Sequence, residues 1–285
     1  MASSNSKSNS PAALAQRIAG EFASLLEVEA VALAGSRTSE FRDGDSDVDL
    51  YVYVTKDIPL GLRASIANAA PRAEIGNTTW EPGDEWTDRE NGTAVDIMYR
   101  HVRWIEEQLD RVLVQHQASV GYSTCFWYNV LNSQPLFDRT GWFAELQRRT
   151  KQPFPQGLKR AIITKNYRLL RDTQSSYLHQ IELAVKRGDR VSVNHRVAAL
   201  LASYFDVLFA LNDLPHPGEK RLLHLAARCA RHPPQMERQV EAVVAAVGGV
   251  DVIVHVNELV DGLDDLLVRE GMRSDSRPRD RSVAG

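Results

Sequence analysis

AGSRTSEFRDGDSDVDLYVYV, residues 34–54, is the stretch from which the fold is read. Its last seven residues, Val48–Val54, are rich in β-branched and aromatic side chains and predict a strand. Ahead of it a short apolar run at 28–34 predicts another, broken by Gly35-Ser36 and followed by a polar connection over 39–46. Residues i and i+2 of a strand share a face, so Asp47 and Asp49 project together while Val48 and Leu50 turn to the core. Their Cα atoms lie roughly 7 Å apart.

Two carboxylates with charges about 5 Å apart repel by about 3 kcal/mol at an effective dielectric near 20. A hard cation between them turns that repulsion into ligation, and Mg²⁺ characteristically takes one or two carboxylates together with phosphate oxygens. Gly35, without a Cβ, lets the chain turn sharply beside a ligand, and Ser36 adds a hydroxyl donor, a setting that suits a triphosphate tail. No GK[ST] ending follows, so this is not a P-loop. Phosphate charge must then be met by Mg²⁺ and by basic residues, with Arg37 and Arg42 nearest in sequence.

A third acid, Asp96, sits in TAVDIMYR, residues 93–100, where Val95 and Ile97 would face the core and Asp96 the other side. If that strand lies beside Val48–Val54, three carboxylates converge. This is the layout for a two-metal in-line displacement in which one acid can also take the acceptor's proton.

Around this centre the pattern predicts helices over 12–26 and 60–70, a short strand over 73–76 and a strand over 94–99. Glu81, Asp84, Glu85, Asp88 and Glu90 crowd with Trp80 and Trp86 into a segment that reads first as a solvated acidic loop, second as a wall for a cationic, ring-bearing acceptor. Beyond residue 101 the apolar spacing is helical, over 104–115, 158–171 and 191–211, and Pro153 and Pro155 mark 151–156 as a joint. His179, His195, His224 and His255 fall inside helical patterns with no metal-ligand spacing, and Phe126-Trp127-Tyr128 and Tyr204-Phe205 read as core.

The bulk numbers narrow the class. Lys plus Arg number 34 against 37 Asp plus Glu, a net charge of -3, so no global basic field advertises nucleic acid. Cys125 and Cys229 stand far apart without a CxxC or Cys/His cluster, which argues against a zinc site or disulfide framework and fits a reducing cytoplasm. The N-terminal segment lacks the apolar core of a secretory signal, and no run of about 18 apolar residues suggests a membrane span.

On Gly35-Ser36 and Asp47-Val48-Asp49, the stretch resembles the G-S…D-x-D signature of the DNA polymerase β nucleotidyltransferase superfamily, which includes aminoglycoside and lincosamide nucleotidyltransferases. The resemblance implies that Asp47, Asp49 and Asp96 bind metal, two Mg²⁺ ions in all, and serve catalysis. It further implies that Gly35 and Ser36 touch the phosphates of an NTP, to which Arg37 is assigned as a cation close in sequence. FALNDLPHPGEKRLLHLA, residues 209–226, is similar to the Lys-bearing helix of the antibiotic enzymes, which would bring Lys220 to the triphosphate.

The expectation is therefore an α+β protein: a nucleotidyltransferase domain with a small mixed β-sheet at 11–101, an all-helical substrate-binding domain at 102–270, and disordered tails at 1–10 and 271–285. The expected partners are an NTP, ATP by preference, and a small hydroxylated acceptor such as an antibiotic, with pyrophosphate released. Transfer to tRNA or to a protein, and a nucleotide-binding protein without turnover, are the alternatives. The mildly acidic composition weighs against the nucleic-acid version and leaves tRNA open.

Overall fold

The computed structural model describes residues 10–34, 47–68, 70, 72–90 and 92–273. The fold is α+β, with a mixed six-stranded sheet and a helical remainder, as the sequence pattern predicts. The chain divides into two compact units, one comprising residues 1–115 and 126–153, the other 116–125 and 154–285.

In the first unit, helix α1 (Pro11–Ala23) opens with Ser10 as N-cap, its hydroxyl accepting the Ala13 N–H at 3.2 Å, and with proline at the first helical position, where no partner for its nitrogen is needed. Strand β1 (Val28–Leu33) pairs antiparallel with β2 (Val48–Val54), and helix α2 (Leu60–Ile66), strands β3 (Glu74–Asn77), β4 (Gly83–Thr87) and β5 (Ala94–His101) follow. After helices α3 (Val102–Leu113) and α4 (Cys125–Asn132) come β6 (Gln134–Asp138) and helix α5 (Trp142–Thr150). The strand order is β3-β4-β5-β2-β1-β6, with β2 and β5 parallel and the other pairs antiparallel.

One face of the sheet carries the core predicted from the alternation. Val48, Leu50, Val52 and Val54 of β2 and Val95 and Ile97 of β5 pack with Leu14, Ile18 and Phe22 of α1. On the opposite face Tyr53 is fully buried, its ring 5.3 Å from that of Trp142 and 5.0 Å from that of Phe143 on α5.

Two strands depart from the sequence reading. The acidic segment around 81–90 is not a loop throughout: Gly83–Thr87 is β4, held between β3 and β5. Gln134–Asp138 forms an edge strand on β1 inside a stretch read as helical, its Pro135 tolerated because an edge strand has a free side. The helix expected over 60–70 ends at Ile66, and Asn68 adopts a left-handed backbone with φ 49°.

The second unit is helical among its described residues: α6 (Gln156–Tyr167), continued by a π turn over Arg168–Asp172, then α7 (Tyr177–Lys186), α8 (Arg190–Leu211), α9 (Leu222–Ala227), α10 (Met236–Ala245) and α11 (Val252–Arg269). Asp206, 1% exposed on α8, accepts hydrogen bonds from the Ser123 N–H (3.1 Å) and hydroxyl (2.6 Å) and from Asn166 Nδ2 (3.0 Å), so polar groups cross-link the bundle interior. Asp264 on α11 accepts from Tyr167, Arg171 and Arg273. Among the described residues no helix is long and apolar enough to cross a membrane.

Candidate active site

β2 and β5 run parallel with Asp49 opposite Asp96, between the pairs Val48↔Val95 and Leu50↔Ile97. The four flanking residues are fully or almost fully buried, whereas Asp49 and Asp96 are half-buried on the other face and Asp47 is exposed. The alternation expected from the sequence is thus realised in both strands. The strand adjacency that brings Asp49 and Asp96 together is present as well.

The row extends further. Across the antiparallel pair β4/β5, Asp96 stands opposite Glu85, which in turn stands opposite Glu74 of β3. Four acids from four strands therefore share one register line. Sequence reasoning placed Glu85 in a loop and missed this alignment. The signal that finds it is the inward–outward alternation of Asp84, Glu85 and Trp86, which becomes readable once a buried partner for Asp84 is known.

The electrostatic consequence falls on Asp96. Burial, followed by the negative charges of Asp49, Glu85, Glu81 and Asp47, pushes its carboxyl up to about 6. Such a group holds its proton more tightly because the ionised form is poorly hydrated and surrounded by like charge. Carboxylates are hard oxygen donors of the kind that a divalent magnesium ion takes. Among the described residues no group of three or more His, Cys, Asp or Glu is arranged to hold a metal on its own. Magnesium that completes its shell with phosphate oxygens needs only one or two carboxylates.

The chain reaches the acids from β1 as well. Ala34 donates its N–H to the carbonyl of Asp49 at 2.9 Å, so the residue preceding Gly35 is tied to the acid-bearing strand. Gly35, Ser36, Arg37 and Arg42 themselves lie outside the described residues, as do 1–9 and 274–285 of the tails. Lys220 is exposed in the second unit, in the turn before α9 rather than on the helix, and Arg221 adjoining it has a left-handed backbone with φ 57°.

Most of the acidic segment is tied down internally. Asp84, 0% exposed, accepts from Arg63 Nε (2.9 Å), from Arg63 Nη2, from the Gly76 N–H (2.7 Å) and from the Tyr99 hydroxyl (2.6 Å). Asp88 pairs with Arg17 at 2.7 Å, and Trp86 belongs to the core. Glu81 takes a two-pronged bond from Arg100, 2.9 Å to each oxygen. The Arg100 guanidinium is buried over the ring of Tyr51 (3.9 Å) and near that of Phe126 (5.1 Å). Charges that looked solvated in the sequence are structural ion pairs, and Glu85 is the member left facing Asp96.

No family model matches the chain, and no curated protein is similar to it. Among solved structures it is similar to a nucleotidyltransferase-like protein from Exiguobacterium sibiricum 255-15, at 14% identity and a TM-score of 0.44 over 90% of this chain and 74% of that one. It is also similar to a STING-associated CdnE c-di-GMP synthase from Capnocytophaga granulosa, at 12% identity and a TM-score of 0.29 over 92% and 81%. Likenesses this distant carry no assignment of activity, which rests on the carboxylate row alone.

Proposed function

We propose that the chain is a nucleotidyltransferase that moves a nucleoside monophosphate from an NTP, ATP by preference, to a hydroxyl of a small molecule, antibiotics included. The supporting observation is the register pairing of Asp49 with Asp96, with Asp47 one alternation ahead of Asp49. In this reading Asp47, Asp49 and Asp96 hold magnesium. When bound, that ion supplies neutralising charge for the phosphates and for the departing pyrophosphate.

The acceptor oxygen forms a bond to the α-phosphorus as the bond from that phosphorus to the bridging oxygen of the β-phosphate breaks. Pyrophosphate leaves with the bonding pair. Asp96, ionised above its raised value of about 6, receives the hydroxyl proton. Gly35, Ser36, Arg37 and Lys220 are assigned to the triphosphate in the same proposal. Rate enhancement comes from positioning and charge complementarity, without a covalent enzyme intermediate.

The test is incubation with α-labelled NTPs, magnesium and pooled hydroxylated acceptors, with Asp49→Ala alongside. Label transfer and pyrophosphate release by the wild type and not by the variant is the expected result. Nucleotide binding by both proteins with no turnover in any pool would refute the enzyme, and label appearing in tRNA alone would refute the small-molecule acceptor.

A further inference from the structure

The parallel strands β2 and β5 end at Val54 and His101, and beyond these ends lies a concavity of about 930 Å³ within the first unit. Its far end lies away from the carboxylate row, His101 being five positions along β5 from Asp96, roughly 17 Å at the rise of a strand, while Glu81, Tyr99 and Arg100 line the side nearer that acid. Its size is that of a site for a small organic molecule.

Aromatic rings make up much of its wall: Trp80, Tyr99, Trp104 and Phe126. Trp80 is 91% exposed at the rim, where an indole gains nothing from packing. Neighbouring guanidinium groups already stand over two of the other rings, Arg63 at 4.1 Å from the Tyr99 centroid and Arg100 at 5.1 Å from that of Phe126.

The charges at the wall do not cancel. Arg63 is matched by Asp84 and Arg100 by Glu81. Both ring nitrogens of His101 are taken up by the chain, Nε2 with the Thr55 carbonyl at 2.9 Å and Nδ1 with the Arg103 N–H at 3.2 Å. Asp57, exposed at the same wall, has no hydrogen bond or ion pair among the described residues. The pocket therefore holds one carboxylate in excess beside aromatic faces.

The geometry points to a second ligand site here, for an organic monocation that carries a ring, bound between Trp80 and Trp104 with its ammonium group toward Asp57. Aromatic faces attract such cations through the ring quadrupole, and the unmatched carboxylate adds charge selectivity. An anionic ligand would meet Asp57 unshielded, and a neutral one would leave that carboxylate unused.

The test uses the full chain labelled on its tryptophan indoles, with the Trp80 and Trp104 resonances assigned from Trp80→Phe and Trp104→Phe. It is titrated with benzyltrimethylammonium, benzyl alcohol and phenylacetate. The expected result is a saturable shift of the Trp80 and Trp104 signals with benzyltrimethylammonium, weakened about fivefold in Asp57→Asn. Asp57 and Trp80 are exposed, so their variants keep the fold. Absence of a saturable shift, unchanged affinity in Asp57→Asn, or equal binding of benzyl alcohol or phenylacetate would overturn the site. Asp49→Ala should bind the cation as the wild type does, whatever its turnover. Loss of binding in that variant would overturn the separation from the carboxylate row.

Discussion

Asp49 and Asp96 face each other across the parallel pairing of β2 and β5, each flanked in its own strand by two buried aliphatic residues. The hydrophobic neighbours fix the phase of both strands, so neither carboxylate can leave the shared face without exposing core. The proximity of the two acids is thus a by-product of core packing, and the proposed chemistry rests on it.

The Asp96 carboxyl is raised by burial first and by Asp49 second. In magnesium-free protein a carboxyl NMR titration should therefore find a midpoint near 6, and Asp49→Asn should lower it. A raised folded value means that the native state holds the proton longer than the unfolded chain. The stabilising contribution is complete below the ordinary Asp value near 4 and disappears as pH rises through about 6. Urea midpoints measured from pH 4 to 7 should show a shallower decline in Asp49→Asn, and identical profiles would contradict the pairing.

Asp84 is buried with Arg63, Tyr99 and the Gly76 N–H all directed at it. Asp84→Ala leaves a largely buried guanidinium without its partner and should cost about 3–5 kcal/mol of folding free energy in urea denaturation. Tyr99→Phe removes one hydrogen bond and should cost about 1 kcal/mol. A loss for Asp84→Ala no larger than that for Tyr99→Phe would show that the ion pair is not what secures β4.

Arg139 follows β6 and donates to the carbonyls of Val28 (2.8 Å), Ala23 (2.9 Å) and Leu25 (2.7 Å), fastening the end of α1 to the start of β1. A lysine cannot reproduce that fork. Arg139→Lys should destabilise by about 2 kcal/mol. Faster amide exchange confined to residues 23–28 would be its local signature, and wild-type exchange there would refute the role.

His216 is fully buried, flanked by Tyr122 (5.0 Å) and Phe209 (5.2 Å), with Nδ1 accepting the Gly218 N–H at 3.1 Å. Burial pushes its ring down to about 4. For a depressed value the contribution to stability is present above the ordinary histidine value near 6.5 and is lost as pH falls through about 4. Between those limits the wild type should lose stability faster than His216→Phe, as read from urea midpoints. Parallel pH profiles would mean that the ring is not held neutral by its surroundings.

The part of the site that was legible in the sequence is the part whose signal is local. Val48–Val54 and the strand bearing Asp96 announce themselves by alternation, and Asp49 and Asp96 take their places in those strands from the same period of two, whereas Asp47 lies one residue before β2. Glu85 was not legible, because its relation to Asp96 exists only across β4 and β5. The strand that carries it looked like a loop since GDEWT contains two acids, and one of them, Asp84, is affordable inside only through Arg63, twenty-one residues earlier. Residues 134–138 failed for a related reason. QPLFD has a proline and two further polar residues, and its edge position accommodates what an inner strand would reject.

Parallel pairing also has a temporal side. β2 meets its neighbour β5 only after the crossover that includes α2, β3 and β4 has been made. During synthesis the ribosome delivers residues 47 and 49 well before residue 96, and pairings separated this widely along a chain are slow to form. A nascent polypeptide halted before residue 94 would carry the first two carboxylates and none of the third, so the proposed centre cannot be complete until β5 has been made and has paired with β2 and β4.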